Sequence, residues 1–149
     1  NTSNLPVEAI EQEYPLRVEE YSLVGNSGGA GQYRGGMGIR RVLTPVGHEC
    51  DFNGAGERFR YQPWGLFGGE DGASGRFLIR DAEGERRLDD KPNRVTVPVD
   101  TRIVVETPGA GGYGPPAERT SAAVKLDYKS GKYSADFVDK YYKNTPKGG

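Results

Sequence analysis

The sequence predicts a mainly β domain, barrel-like or built of two sheets, with glycine-rich segments of polyproline-II character and short helices at its ends. Three observations carry this reading. Short runs rich in valine, isoleucine and aromatic residues recur along the chain, each bounded by glycine, proline, asparagine or aspartate, the pattern of strands joined by tight connections. The 149 residues include 23 glycines and 10 prolines, which leaves little room for long helices. The glycines are clustered: residues 26–38 read NSGGAGQYRGGMG, and 64–69 and 107–116 have the same character.

A helix is predicted over 7–13, opened by Pro6 in its first turn and stopped at Tyr14-Pro15. A strand follows over 16–23, its alternation changing at Glu19-Glu20 in a way that suggests a bulge. After the first glycine stretch, strands are predicted over 39–46 and 48–53, and 57–61 (ERFRY) alternates charge with aromatic like a half-buried strand. The second glycine stretch leads to 76–80 and 85–88, which flank Asp81-Ala82-Glu83-Gly84 as a hairpin. Residues 94–99 and 101–106 are the two strongest strands, and the third glycine stretch follows them. Beyond Pro116 glycine thins out and lysine and tyrosine rise. We therefore divide the chain into a β domain with glycine-rich segments over 1–116 and a C-terminal extension over 117–149. In the extension, 124–128 reads as a strand and Ser134 as the N-cap of a helix to about Lys143, with Phe137, Val138, Tyr141 and Tyr142 on one stripe.

Charged residues make up 28% of the chain but nearly cancel, to a net of -1, so no global electrostatic drive toward nucleic acid or an anionic membrane exists. No apolar run approaches the roughly 20 residues of a membrane-spanning helix. The single cysteine, Cys50, has no internal partner, which favours a reducing cytoplasm.

The chemical motifs are sparse. Gly109–Gly114 matches GxGxxG after a strand, yet Pro115-Pro116 follows at once where a dinucleotide fingerprint would open a helix, so nucleotide binding is not expected there. His48 is the sole histidine, with Cys50 two residues on along the predicted strand; an edge-strand histidine beside a buried cysteine is the expected arrangement. His48, Cys50 and Asp51 make at most three metal ligands, on alternating faces. No catalytic, cofactor or metal residue is therefore assigned. The residues singled out are structural or interfacial: Arg34, Gly28, Gly29, Gly31, Gly35, Gly36, Trp64, Gly111, Gly112 and Tyr113. Arg34, at the centre of the densest glycine stretch, is expected to be largely buried, bonding to backbone carbonyls or one carboxylate, with Glu19, Glu20 and Asp51 as candidates. Because the glycine stretches expose many backbone donors and acceptors and the apolar content is only 34%, 26–38 and 64–69 are expected to be covered by another subunit.

Four ordered stretches carry a resemblance: 14–23 (YPLRVEEYSL), 27–38 (SGGAGQYRGGMG), 63–69 (PWGLFGG) and 107–114 (TPGAGGYG), with Asp127, Gly131, Ser134 and Tyr141 in a closing segment. In order and spacing they resemble the C-terminal part of the hydantoinase B/oxoprolinase family. The resemblance implies one large subunit of ATP-dependent enzymes that either hydrolyse cyclic amides, as 5-oxoprolinase and hydantoinases do, or carboxylate ketones, as acetone and acetophenone carboxylases do. It further implies that ATP and Mg sit on a hydantoinase A-type partner, and that a metal ion sits in the upstream part of the hydantoinase B-type polypeptide. A small subunit of an acetophenone carboxylase-like hetero-oligomer is the favoured expectation. The corresponding part of a cyclic-amide hydrolase is the alternative, and a free-standing binding module a third.

Overall fold

A computed structural model describes residues 4–143. Among them are seven strands in two antiparallel sheets, three short α-helices and one turn of 3-10 helix. The chain is mainly β and two-sheeted, and no closed barrel forms among the described residues. Two compact units are built from interleaved pieces of chain. The first takes in the chain up to Ser22, Arg40–Gly56 and Arg76–Glu106; the second takes in Leu23–Ile39, Glu57–Gly75 and the chain from Thr107 on.

The first unit opens with α1 (Val7–Glu13) and carries the strands β1 (Leu16–Leu23), β2 (Ile39–Pro45), β3 (Cys50–Phe52), β4 (Arg76–Asp81), β5 (Gly84–Arg87), β6 (Val95–Val97) and β7 (Arg102–Glu106). Five of them form a sheet in the order β1-β2-β7-β4-β5, and β3 pairs with β6 apart. The sheet is assembled around its central strand β7, whose Val104 pairs with Val42 on one side and Leu78 on the other. These three side chains are buried together as a core cluster. The β4–β5 hairpin forms where its turn chemistry places it, with Asp81 opposite Gly84 and the Asp81 carboxylate accepting from the Glu83 N–H at 2.9 Å.

Several expectations are corrected. In β1 burial alternates without interruption through Glu19-Glu20, so no bulge breaks it there. Glu20 takes an inward position because the Ser22 hydroxyl donates to it at 2.6 Å and Arg40 at 3.3 Å, and these contacts hold its carboxyl below the usual range. The segment 57–61 is turn rather than strand: Arg58 has φ 59, a left-handed conformation no strand accommodates. Its Phe59 is nevertheless buried. His48 lies outside β3, which starts at Cys50.

The second unit holds the glycine-rich stretches, the 3-10 turn Pro116–Glu118, α2 (Ser121–Lys129) and α3 (Ala135–Tyr141). Where a strand is expected over 124–128, the chain is helical. Thr120 caps α2 by accepting from the Ala123 N–H, and Lys129 sits in its last turn. Those end signals outweigh the β-branched Val124. Ser134 caps α3 as expected. Val124 of α2, Tyr133 from the connection between the helices and Tyr142 at the end of α3 form a core with Ala30, and Met37, Phe137, Val138 and Tyr141 pack against it. The tail beyond Lys143 lies outside the described residues.

Candidate functional site

The second unit is organised by backbone packed directly on backbone. A β-carbon on Gly35 would stand 1.9 Å from the Ala110 carbonyl oxygen, one on Gly111 2.0 Å from that of Trp64, and one on Gly112 2.0 Å from that of Ala30. Gly28, Gly29 and Gly31 are closed in the same way. At these sites glycine is required for close approach rather than for an unusual φ. Gly36 differs: it is exposed and has nothing nearer than 4.0 Å to a would-be β-carbon.

The approach lets the three stretches satisfy one another. The Gly29 N–H donates to Ala110 O at 2.9 Å, the Ala110 N–H to Gly36 O at 2.9 Å, the Glu70 N–H to Ala30 O at 2.7 Å and the Gly112 N–H to Glu70 O at 2.8 Å. Tyr33 and Tyr113 exchange a reciprocal pair at 2.9 and 3.0 Å. Phenols from the C-terminal segment reach in as well. The Tyr133 hydroxyl donates to Gly28 O at 3.0 Å, and the Tyr142 oxygen accepts from the Gly31 N–H at 3.1 Å. Burial pushes the pKa of both phenols up. The expectation that 26–38 needs a second subunit to cover it is therefore corrected for its centre, since 27–31 is buried by this chain alone.

The Arg34 side chain is 25% exposed, so about three-quarters of it is buried. Its Nε donates to Asp127 Oδ1 at 3.0 Å and its Nη1 to the Gly35 carbonyl at 3.0 Å. Arg119 completes the arrangement, donating through Nη2 to Asp127 Oδ2 at 2.5 Å and through Nη1 to Gln32 O at 3.0 Å. Asp127, 4% exposed, thus holds two guanidinium groups on its two oxygens. The carboxylate is none of the three expected: Glu20 pairs with Arg40 and Asp51 with Arg94. Sequence reasoning singled out Asp127 only through the family resemblance and Arg119 not at all, because nothing local marks them as partners of Arg34, 93 residues before Asp127. Helical spacing on α2 would have placed Asp127 three residues after Val124, on the buried face.

The GxGxxG segment does not fit a nucleotide. Gly111 and Gly112 already face the chain's own carbonyls, and the 3-10 turn after Pro115 is too short to supply a helix dipole. In the first unit a cavity of about 300 Å³ is lined by Tyr14, Leu16, Leu43, His48, Cys50 and Ile103 among others. His48 Nδ1 lies 3.1 Å from Val46 O, and burial pushes the Cys50 thiol up, away from the thiolate a nucleophile needs. Among the described residues no group of three or more His, Cys, Asp or Glu is placed to hold a metal ion. None of the described helices is long and apolar enough to cross a membrane.

Comparison with known proteins identifies the class. The hydantoinase B/oxoprolinase family model matches residues 1–116, and the chain belongs to that family. It is 40% identical over 134 residues to a Pseudomonas sp. (strain NS671) protein named as the B-type component of a D-/L-hydantoinase, covering 88% of this chain and 22% of that protein. The crystal structure of the ATP-dependent caprolactamase from Pseudomonas jessenii superimposes with a TM-score of 0.76 at 32% identity, over 92% of this chain and 24% of that one. Acetone carboxylase, in its nucleotide-free structure, shares the fold, with a TM-score of 0.71 at 22% identity over 92% of this chain and 22% of that one. The chain thus spans about a quarter of the length of these relatives.

Proposed function

We propose that this chain is a non-catalytic, fold-completing part of an ATP-dependent enzyme that opens cyclic amides. The observation that carries the reading is the closure of the glycine stretches on themselves. Their donors and acceptors bond to one another, and Arg34, Arg119 and Asp127 are committed to holding that packing. ATP, Mg and the catalytic metal ion then belong to other parts of a hetero-oligomer, a hydantoinase A-type ATP-binding subunit and a hydantoinase B-type large subunit. A reducing cytoplasm suits the free Cys50. Cyclic-amide opening is preferred because the relatives with 32–40% identity are named for hydantoins and caprolactam. Ketone carboxylation by an acetophenone carboxylase-like complex, favoured by the sequence resemblance, is the second reading.

The test is to purify the assembly that contains this chain and measure ATP hydrolysis with hydantoin, 5-oxoproline and caprolactam, and with acetophenone plus bicarbonate. Amide-dependent turnover by the assembly, with none by the 149-residue chain alone, is expected. Bicarbonate-dependent turnover of the ketone would select the second reading. ATP turnover by the isolated chain would overturn the non-catalytic assignment.

A further inference from the structure

The second unit leaves one face unlike the rest. Tyr33, Phe67 and Tyr113 form a contiguous ring cluster, with centroids 6.2 Å apart for Tyr33–Tyr113 and 5.1 Å for Phe67–Tyr113. They are 64%, 74% and 48% exposed. Leu66 and Trp64, on the same loop as Phe67, are exposed too, and the Arg58 guanidinium lies 4.3 Å over the Trp64 ring. With aromatic side chains of 150–250 Å² each, the five apolar residues present roughly 500 Å², the size of the largest apolar patch on a typical monomer, which is often functional. Collapse of a mobile loop does not explain the display. Tyr113 is bridged on both sides, to Tyr33 and to Leu66. Two residues of the patch, Arg58 at φ 59 and Phe67 at φ 51, are non-glycine residues held in the left-handed region. Such conformations persist where the surroundings impose them, and here they hold a cation and the most exposed ring outward.

We infer that this aromatic face is the docking surface for the remainder of a hydantoinase B-type polypeptide, the three quarters of the relatives' length that this chain does not match. The inference rests on the reading of the chain as a fold-completing part. The occupant's size and chemistry follow from the patch. It must be large enough to bury a raised cluster of rings, and it must present an apolar surface to Tyr33, Phe67 and Tyr113. It must also bring a carboxylate or carbonyl to Arg58, because a guanidinium buried without one is costly. Aromatic and arginine anchors at the centre of a contact are the groups that dominate binding.

The test combines hydroxyl-radical footprinting with a photocross-linking p-benzoylphenylalanine placed at Phe67. In the complete assembly, modification of Tyr33, Phe67 and Tyr113 is expected to fall at least tenfold relative to the isolated chain, and the cross-link is expected to map to hydantoinase B-type sequence outside the matched quarter. Phe67→Glu should weaken association with that polypeptide at least tenfold while leaving the isolated chain's melting temperature unchanged. Equal reactivity in the two samples would overturn the inference. So would protection that appears in the isolated chain as its concentration rises, which marks a second copy, or a cross-link to the ATP-binding subunit. Protection and cross-linking in an assembly lacking amide-dependent ATP turnover would overturn the proposed reaction and leave the docking surface standing.

Discussion

Gly112 and Gly36 are a matched pair for testing whether backbone-on-backbone packing holds the second unit together. Neither has a left-handed φ, so an alanine at either site acts through its methyl group alone. At Gly112 that methyl would sit 2.0 Å from the Ala30 carbonyl oxygen, a distance that must open to at least 3.0 Å. Parting the segments by about 1 Å costs hydrogen bonds whichever side yields. Movement of Gly112 breaks its N–H bond to Glu70 O at 2.8 Å and the Leu66 N–H bond to its own carbonyl at 2.9 Å, whereas movement of Ala30 breaks the Glu70 N–H bond at 2.7 Å. At about 1–3 kcal/mol for each buried group left unsatisfied, Gly112→Ala should cost about 2–6 kcal/mol. For a chain of this size, at about 2–4 °C per kcal/mol, that lowers Tm by roughly 4–24 °C. Gly36→Ala should stay within about 0.5 kcal/mol of wild type, because its methyl would meet nothing nearer than the Ala110 β-carbon at 4.0 Å, an ordinary contact distance. Urea unfolding followed by the fluorescence of Trp64, the single tryptophan, reports on this unit directly. Two variants within about 1 kcal/mol of each other would refute the claim that close backbone approach is what these glycines are for.

Further outcomes are expected elsewhere in the same unit. Asp127→Ala, which leaves two guanidinium groups without their carboxylate, should destabilise more than Arg34→Ala, which leaves Arg119 still bonded to Asp127. Arg34→Ala should cost about 1–2 kcal/mol after allowance for its partial exposure, and Arg34→Lys should recover only part of this because an ammonium lacks the planar fork. Urea midpoints check the order, and an Arg34→Ala protein that melts like wild type while its assembly loses turnover would show that Arg34 contacts substrate or phosphate. The raised pKa values of Tyr133 and Tyr142 imply a stability term fully present below the ordinary tyrosine range near 10 and lost progressively as pH rises from there through the raised folded-state values, since the unfolded chain ionises first. In an alkaline absorbance titration, two of the nine tyrosines should ionise only together with unfolding, and nine equivalent phenols would contradict the packing.

The legible part of this protein lay in short-range pattern. The turn residues around Asp81 and Gly84 fixed the β4–β5 hairpin, the alternating apolar runs fixed β7 and β1, and Ser134 fixed the start of α3. The order of the four motifs placed the chain in its family. The misses share a cause. Residues 57–61 have strand alternation, yet Arg58 turns the chain to set its guanidinium over Trp64. Val124 argues for a strand, yet α2 forms from its Thr120 cap to Lys129 and buries Val124 with Tyr133 and Tyr142. Arg34 announced a carboxylate without saying which, since Asp127 comes to it only when α2 docks. The same holds for the glycines: composition marked Gly36 and Gly112 alike, and only the fold separates one facing solvent from one pressed against Ala30. Local sequence sets the conformations each residue can reach at low cost, whereas the choice among them belongs to contacts between segments far apart in the chain, where close approach and burial set the energy.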